Sequence, residues 1–152
     1  MFPRFAPALL ALSLAAGCAG PAKLAERSEG KLASGDHWQA WTLATRALDK
    51  APANQRARLA AAAAAASISR EWQRRIRAVA EGDSLAAAGQ VLEFSSFRTG
   101  AATYATVPVD TEWAGEERTL RLAAARVHYQ RGAAAMAAKR PKRAWLHFTD
   151  TG

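Results

Sequence analysis

The chain has 152 residues, half of them apolar, and its 21 basic and 13 acidic residues give a net charge of +8. Alanine supplies much of the apolar fraction while valine, isoleucine and threonine are sparse, which favours helices over strands. The single cysteine, Cys18, excludes an internal disulfide and a zinc site built from several cysteines. We therefore expect one all-α domain whose positive charge attracts anionic partners.

The first eighteen residues have the layout of an export signal. A short basic start at residues 1–4 precedes an apolar run over residues 5–16, and small residues lead from there to Cys18. This run is too short for a stable membrane span, which needs about 20 apolar residues. A basic start, a short apolar run and a small-residue exit are typical of a secretory signal peptide.

Residues 14–18, L-A-A-G-C, resemble the lipobox of bacterial lipoproteins. The resemblance implies that Cys18 is thioether-linked to diacylglycerol and that residues 1–17 are a cleaved lipoprotein signal peptide. One departure is Ala15, which stands where the family usually has leucine. An ordinary signal cut near Ala16 or Ala19 and a retained buried helix are the alternatives.

The residue after the cysteine indicates the membrane in which the protein is expected to be anchored. The lipoprotein family's rule for retention in the inner membrane uses aspartate there, and this chain has Ala19. The resemblance therefore implies an anchor in the outer membrane with the protein facing the periplasm, or in the cell membrane if the cell is not Gram-negative. Several acyl chains on one cysteine would hold the protein at its membrane, and no nucleic-acid partner is expected for an exported chain.

Six helices are predicted after the signal. Residues 18–25 are expected to form a lipidated tether and residues 26–152 an α-helical domain. The helices are predicted at about residues 23–33, 37–50, 55–81, 85–97, 116–138 and 141–148. The third of these helices has a possible break at residues 67–69. Residues 98–115 have no helical period and are expected to form a long loop.

A helix, a Gly-Asp turn, a second helix and then a proline make the layout of a helical hairpin repeat. Residues 21–54 resemble the tetratricopeptide repeat, because Ala40 and Ala47 occupy its small-residue positions and Pro52 follows Ala40 by 12 residues. The match is degenerate, since Ser28 stands in the place of the family's glycine.

A second stretch, from about residue 125, also resembles this repeat. Gly132 precedes Ala144 by 12 residues and Phe148 follows Ala144 by four, although the Gly-Asp turn is missing. The resemblance implies stacked hairpins with a concave face that binds protein segments. A small helical bundle without repeat ancestry is the alternative.

Two clusters of basic residues are candidate contact sites. The first consists of Arg70, Arg74, Arg75 and Arg77. Helical geometry places Arg70, Arg74 and Arg77 opposite an apolar stripe of the same predicted helix, so we expect a solvated face there. The second cluster lies at a predicted turn, where side chains spread, and is a candidate contact patch for anionic headgroups or a partner. It consists of Lys139, Arg140, Lys142 and Arg143.

No motif indicates catalysis. His37, His128 and His147 lie far apart in the sequence, and none belongs to a spaced metal-binding motif. Acylation would remove Cys18 as a nucleophile, so we expect no enzyme, no cofactor and no metal. The five tryptophans are expected in the core, with Trp113, in the predicted loop, singled out as the candidate for exposure.

The sequence thus predicts a non-catalytic lipoprotein that binds or scaffolds other envelope proteins. A second hypothesis is a basic protein that binds a polyanion, either cell-wall polymer or lipopolysaccharide, and an envelope enzyme is the least favoured. A homodimer is possible through an exposed apolar edge that includes Trp145 and Phe148.

Overall fold

The computed structural model describes residues 19–149. Cys18 and the predicted signal peptide lie outside the described residues, as does the side chain of Phe148. The described part contains six helices and no strand, which confirms the all-α prediction. The helices are α1 (Pro21–Ala33), α2 (His37–Lys50), α3 (Gln55–Ala80), α4 (Ser84–Ala101), α5 (Trp113–Ala137) and α6 (Pro141–Thr149). None of the described helices is long and apolar enough to cross a membrane.

Three predicted boundaries were wrong. α1 begins at Pro21, so of the tether predicted over residues 18–25 the structure leaves only Ala19 and Gly20 before the helix. Proline suits the first helical position because the amide hydrogen it lacks would have no helical acceptor there. α3 continues through residues 67–69 without a break, and the loop predicted over residues 98–115 shrinks to residues 102–112.

The described helices form two compact units that divide between Ala61 and Ala62. In the first unit α1 and α2 make a hairpin, and its turn lies at the Gly-Asp pair that the sequence predicts as a turn. Gly35 adopts a positive φ of 78°, and the Asp36 carboxylate accepts a hydrogen bond of 3.2 Å from the backbone amide of Gln39. Glycine tolerates this φ and aspartate caps a helix start, so Gly35 and Asp36 both have the roles predicted for them.

Small side chains let α1 and α2 approach closely. Ala40, Ala44 and Ala47 are fully buried in α2, and Ser28 of α1 is fully buried against them. The Ser28 hydroxyl donates a hydrogen bond of 2.7 Å to the carbonyl oxygen of Ala40. Serine is thus accepted where the tetratricopeptide pattern has glycine, because its hydroxyl finds an acceptor across the helix contact.

The second unit is built around three aromatic side chains. Trp72 of α3 stacks on Phe94 of α4 with ring centroids 5.9 Å apart, and Trp113 of α5 meets Phe94 edge-on at 5.4 Å. α5 packs on α4 along one side and on α6 along another, where Gly132 and Ala144 are buried. These contacts place α5 and α6 as a second hairpin.

The burial of the tryptophans differs from the prediction. Trp113, singled out for exposure, is only 1% exposed, and Trp38, expected in the core, is 44% exposed. Trp145 is 65% exposed, in agreement with the exposed apolar edge expected there. The Asp110 carboxylate accepts a hydrogen bond of 3.0 Å from the Trp113 amide, and the indole nitrogen donates to Glu117 at 2.9 Å. These bonds start α5 at Trp113 and direct the indole into the core.

We predict that Ser28→Ala lowers the free energy of unfolding by about 1 kcal/mol, because it removes a buried hydrogen bond at a close helix contact. Ser28→Leu should cost more, about 1–3 kcal/mol, because the contact has no room for the larger side chain. Urea denaturation followed by circular dichroism measures both changes. The control is Ser34→Ala, at an exposed serine that bonds only within its own turn. Equal stability of the Ser28→Leu variant and the parent would contradict this packing.

We predict that Trp113→Ala destabilises the second unit by about 3–5 kcal/mol, as expected for truncation of a large buried aromatic side chain. Trp145→Ala, at a tryptophan that is mostly exposed, should change stability by less than about 0.5 kcal/mol. Thermal unfolding of the two variants and the parent measures the difference. A larger loss for Trp145→Ala than for Trp113→Ala would show that the burial of the two tryptophans is the reverse of the one described.

Candidate interaction surface

The positive charge of the chain is concentrated at one end of the sequence. Residues 1–117 contain 13 basic and 12 acidic residues, whereas residues 118–152 contain 8 basic residues and 1 acidic residue. Residues 118–149, which contain no acidic residue, form most of α5 and all of α6. We call this helix pair, residues 113–149, the basic hairpin.

The four predicted contact residues lie together at the turn of the basic hairpin. All four are exposed, and among the described residues none of them has a carboxylate partner. Lys139 has a φ of 55°, and the next amide, of Arg140, bonds to the carbonyl of Ala135 at 2.8 Å, which closes α5 with a left-handed turn. Arg140, Lys142 and Arg143 line a shallow depression with Pro141.

Sequence reasoning expected an exposed apolar edge at Trp145 but missed the exposed apolar residues of α5. Leu122, Tyr129 and Met136 follow one another at seven-residue intervals on α5, and each is more than half exposed. This spacing places them on one face of the helix, away from the Trp113 face that packs in the core. On α6, Trp145 and Leu146 are exposed as well. The seven-residue interval was visible in the sequence, but it does not tell which of two apolar faces is buried.

The two acidic residues of α5 lie in its first turns and are already paired. Glu116 accepts hydrogen bonds from Arg77, the shorter at 2.9 Å, while Glu117 contacts Arg98 at 3.2 Å and Arg121 at 2.8 Å. Carboxylates at a helix N-terminus are also favoured by the helix dipole. Because these pairs form at the start of α5, no described carboxylate of the hairpin is left to neutralise its later cations.

One arginine of the first basic cluster, Arg77, is less solvated than predicted. Arg77 bridges to Asp110 at 2.6 Å as well as to Glu116, and the Arg75 guanidinium lies 4.0 Å from the centroid of the Trp72 ring. The expectation of a solvated face was therefore wrong for Arg77, because the segment between α4 and α5 folds back on α3. Arg75 remains exposed although it contacts the Trp72 ring. Arg70 and Arg74 are exposed, as expected.

Hydrogen bonds fix the connecting segment, residues 102–112, to α3. The Ser69 hydroxyl donates to the carbonyl oxygen of Pro108, and the Gln73 side chain accepts from the amide of Asp110 at 3.2 Å. The Arg77 guanidinium holds the pKa of Asp110 below its usual value, and the Asp110 and Glu116 carboxylates raise the pKa of Arg77. A groove of about 570 Å³ beside this network is lined by Ile76 and Trp113 together with the Arg77–Glu116 pair.

Two histidines that are distant in the sequence meet in the structure. The rings of His128 on α5 and His147 on α6 have centroids 6.1 Å apart, because the two helices pack antiparallel. His37 belongs to the other unit. Within residues 19–149 no set of three histidine, cysteine or acidic side chains is placed to hold a metal ion.

No protein-family model, no curated protein and no solved structure matches the chain.

We predict that Asp110→Asn makes the stability of the protein less dependent on pH between neutral and acid pH. A carboxylate whose pKa is lowered in the folded state stabilises the fold above its unfolded pKa, and this contribution is lost as the pH falls through the folded pKa. The variant should therefore be less stable than the parent at pH 7 and should approach it below about pH 3. Thermal unfolding between these pH values measures the effect. Glu93→Gln, at an exposed acid of the same unit, is the control and should follow the parent. Parallel curves for Asp110→Asn and the parent would contradict the ion pair.

Proposed function

We propose that the chain is an outer-membrane-anchored periplasmic lipoprotein that acts as a non-catalytic binding or scaffold module. Support for the anchor comes from the lipobox-like residues 14–18 and the basic, short apolar segment before them. Each buried methylene of an acyl chain contributes about 0.8 kcal/mol to membrane attachment, so a diacylated cysteine keeps the protein at its membrane.

The observation that carries the binding role is the surface of the basic hairpin. Three exposed apolar side chains follow one face of α5, two more lie on α6, and four exposed cations lie at the turn between the helices. An exposed apolar patch with polar residues at its rim is typical of an interaction surface. The tetratricopeptide-like hairpins support a protein of the envelope as the partner.

A second candidate function is the binding of an anionic envelope component, such as cell-wall polymer or lipopolysaccharide. The observation that favours it is that residues 118–152 contribute seven of the eight net positive charges of the chain. The salt dependence of binding distinguishes the two functions, because attraction between exposed charges is screened over about 8 Å at physiological ionic strength. Binding to a polyanion should weaken strongly with salt, whereas binding to a protein through apolar residues should not.

We predict that Cys18→Ser abolishes incorporation of labelled palmitate and leaves the signal peptide attached, because the hydroxyl does not form the thioether. Metabolic labelling followed by mass spectrometry of the N-terminal peptide measures both results. The matched control adds a thiol at an exposed serine of the first hairpin, as the double variant Cys18→Ser with Ser34→Cys, which should remain unlabelled. Undiminished labelling of the Cys18→Ser variant would refute the anchor.

A further inference from the structure

We propose that the basic hairpin is a membrane-docking surface for the phosphate-bearing headgroups of anionic phospholipids, in the bilayer that holds the anchor. Its cations would contact the phosphates, and its exposed apolar side chains would lie at the boundary between headgroups and acyl chains. The proposal deepens the anionic-ligand function and rests on the proposed anchor for the choice of bilayer and for the closeness of the folded chain to it.

The first support is the arrangement of charge. Of the eight cations between Arg118 and Arg143, only Arg121 is paired with a described carboxylate, that of Glu117. Uncompensated lysines and arginines at an anionic bilayer are each attracted by its surface potential, and their contributions accumulate. Because no acidic residue occurs from residue 118 to residue 149, the hairpin lacks the carboxylates that an anionic bilayer would repel.

The second support is the mixture of side chains on α6. Lys142 and Arg143 are exposed in the first turn, and Trp145 and Leu146 are exposed in the next. Tryptophan is favoured at membrane interfaces because its ring is apolar while its indole nitrogen donates a hydrogen bond. Basic side chains beside exposed tryptophan and leucine are the composition of helices that lie in the plane of a membrane surface.

The third support is the short connection between Cys18 and the fold. Only Ala19 and Gly20 separate the proposed anchor residue from α1, and two or three extended residues span roughly 7–10 Å. The folded chain is thus confined close to the bilayer, which raises the effective concentration of headgroups around its cations.

A second copy of the chain fits the surface less well. Pairing two hairpins would bring Arg118 and Arg126, which flank the apolar face of α5, close to cations of the other copy. No acidic residue from 118 to 149 could compensate them. Like charges in contact are destabilising, so the charge pattern favours an anionic occupant.

The experiment uses the processed chain, without residues 1–17 and with Cys18→Ser, so that no acyl chain contributes; it contains all six described helices. The probes are vesicles of phosphatidylcholine and vesicles of equimolar phosphatidylcholine and phosphatidylglycerol. We expect cosedimentation with the anionic vesicles at low salt, no cosedimentation with the neutral vesicles, and loss of binding as salt is raised.

Two matched sets of substitutions locate the surface. Replacing Lys139, Arg140, Lys142 and Arg143 by glutamine should weaken binding to anionic vesicles at least about tenfold. Replacing four exposed cations outside the hairpin by glutamine changes the net charge equally and should weaken binding much less. These control cations are Lys23, Arg27, Arg46 and Arg74.

A second pair tests the apolar contribution. Leu146→Asp should weaken vesicle binding more than Leu59→Asp, although both leucines are more than half exposed and both substitutions add one negative charge. Circular dichroism checks that the helix content of every variant is unchanged.

Several outcomes overturn the proposal. The first is that the chain does not bind anionic vesicles at low salt, and the second is that the two sets of glutamine substitutions weaken binding equally. The third is that the chain binds an acidic protein or cell-wall polymer but does not bind the vesicles. Because the tested chain carries no lipid, a failure of palmitate labelling at Cys18 would refute the proposed anchor and leave this result standing.

Discussion

The burial of one indole ring determines where the basic hairpin begins. Trp113 packs edge-on against Phe94, its amide is capped by Asp110, and its indole nitrogen donates to Glu117. Together these contacts start α5 at the tryptophan and orient the helix, so that one of its faces is used in the core. The opposite face, with Leu122, Tyr129 and Met136, is then exposed. The surface on which the proposed binding depends is therefore a consequence of how the core is closed.

The separation of charge follows from the same arrangement. The acidic residues that could neutralise the hairpin, Glu116 and Glu117, are engaged at its first turns by Arg77, Arg98 and Arg121. Each of these pairs is partly exposed, so its value for stability is modest. Their larger effect is on the electrostatic potential at the surface of the hairpin. Because they occupy Glu116 and Glu117, the cations from Arg126 to Arg143 have no carboxylate partner among the described residues.

Much of the fold could be predicted from patterns within a few residues of the sequence. The errors occurred where the structure depends on contacts between residues that are distant in the sequence. The turns at Gly35 and Asp83 and the helix start at Pro141 follow from backbone preferences and capping, which act within a few residues. The serine pair near residue 68 does not break α3. Ser69 is buried, and its hydroxyl bonds to the carbonyl oxygen of Pro108, which lies 39 residues away and cannot be identified from local sequence. Trp113 was assigned to a loop because its partner Phe94 cannot be identified from spacing alone.

The candidate site was predicted in part. The cluster at Lys139 and its basic neighbours was found because adjacent cations at a turn can only spread into solvent. An exposed apolar edge was expected at Trp145 on α6, but the apolar residues of α5 were missed, since α5 carries apolar residues on two faces and only tertiary packing decides which one is covered. The meeting of His128 and His147 depends likewise on the pairing of α5 with α6.

The most direct test of the docking claim is a depth measurement on the lipidated protein. Acylation consumes the thiol of Cys18, so Leu146→Cys provides one free thiol for a nitroxide label. In anionic vesicles we predict that the label becomes accessible to oxygen and shielded from a water-soluble nickel chelate, while in neutral vesicles, which hold the protein through the same anchor, it remains accessible to the chelate. Equal accessibility to the chelate in both kinds of vesicle would contradict the account.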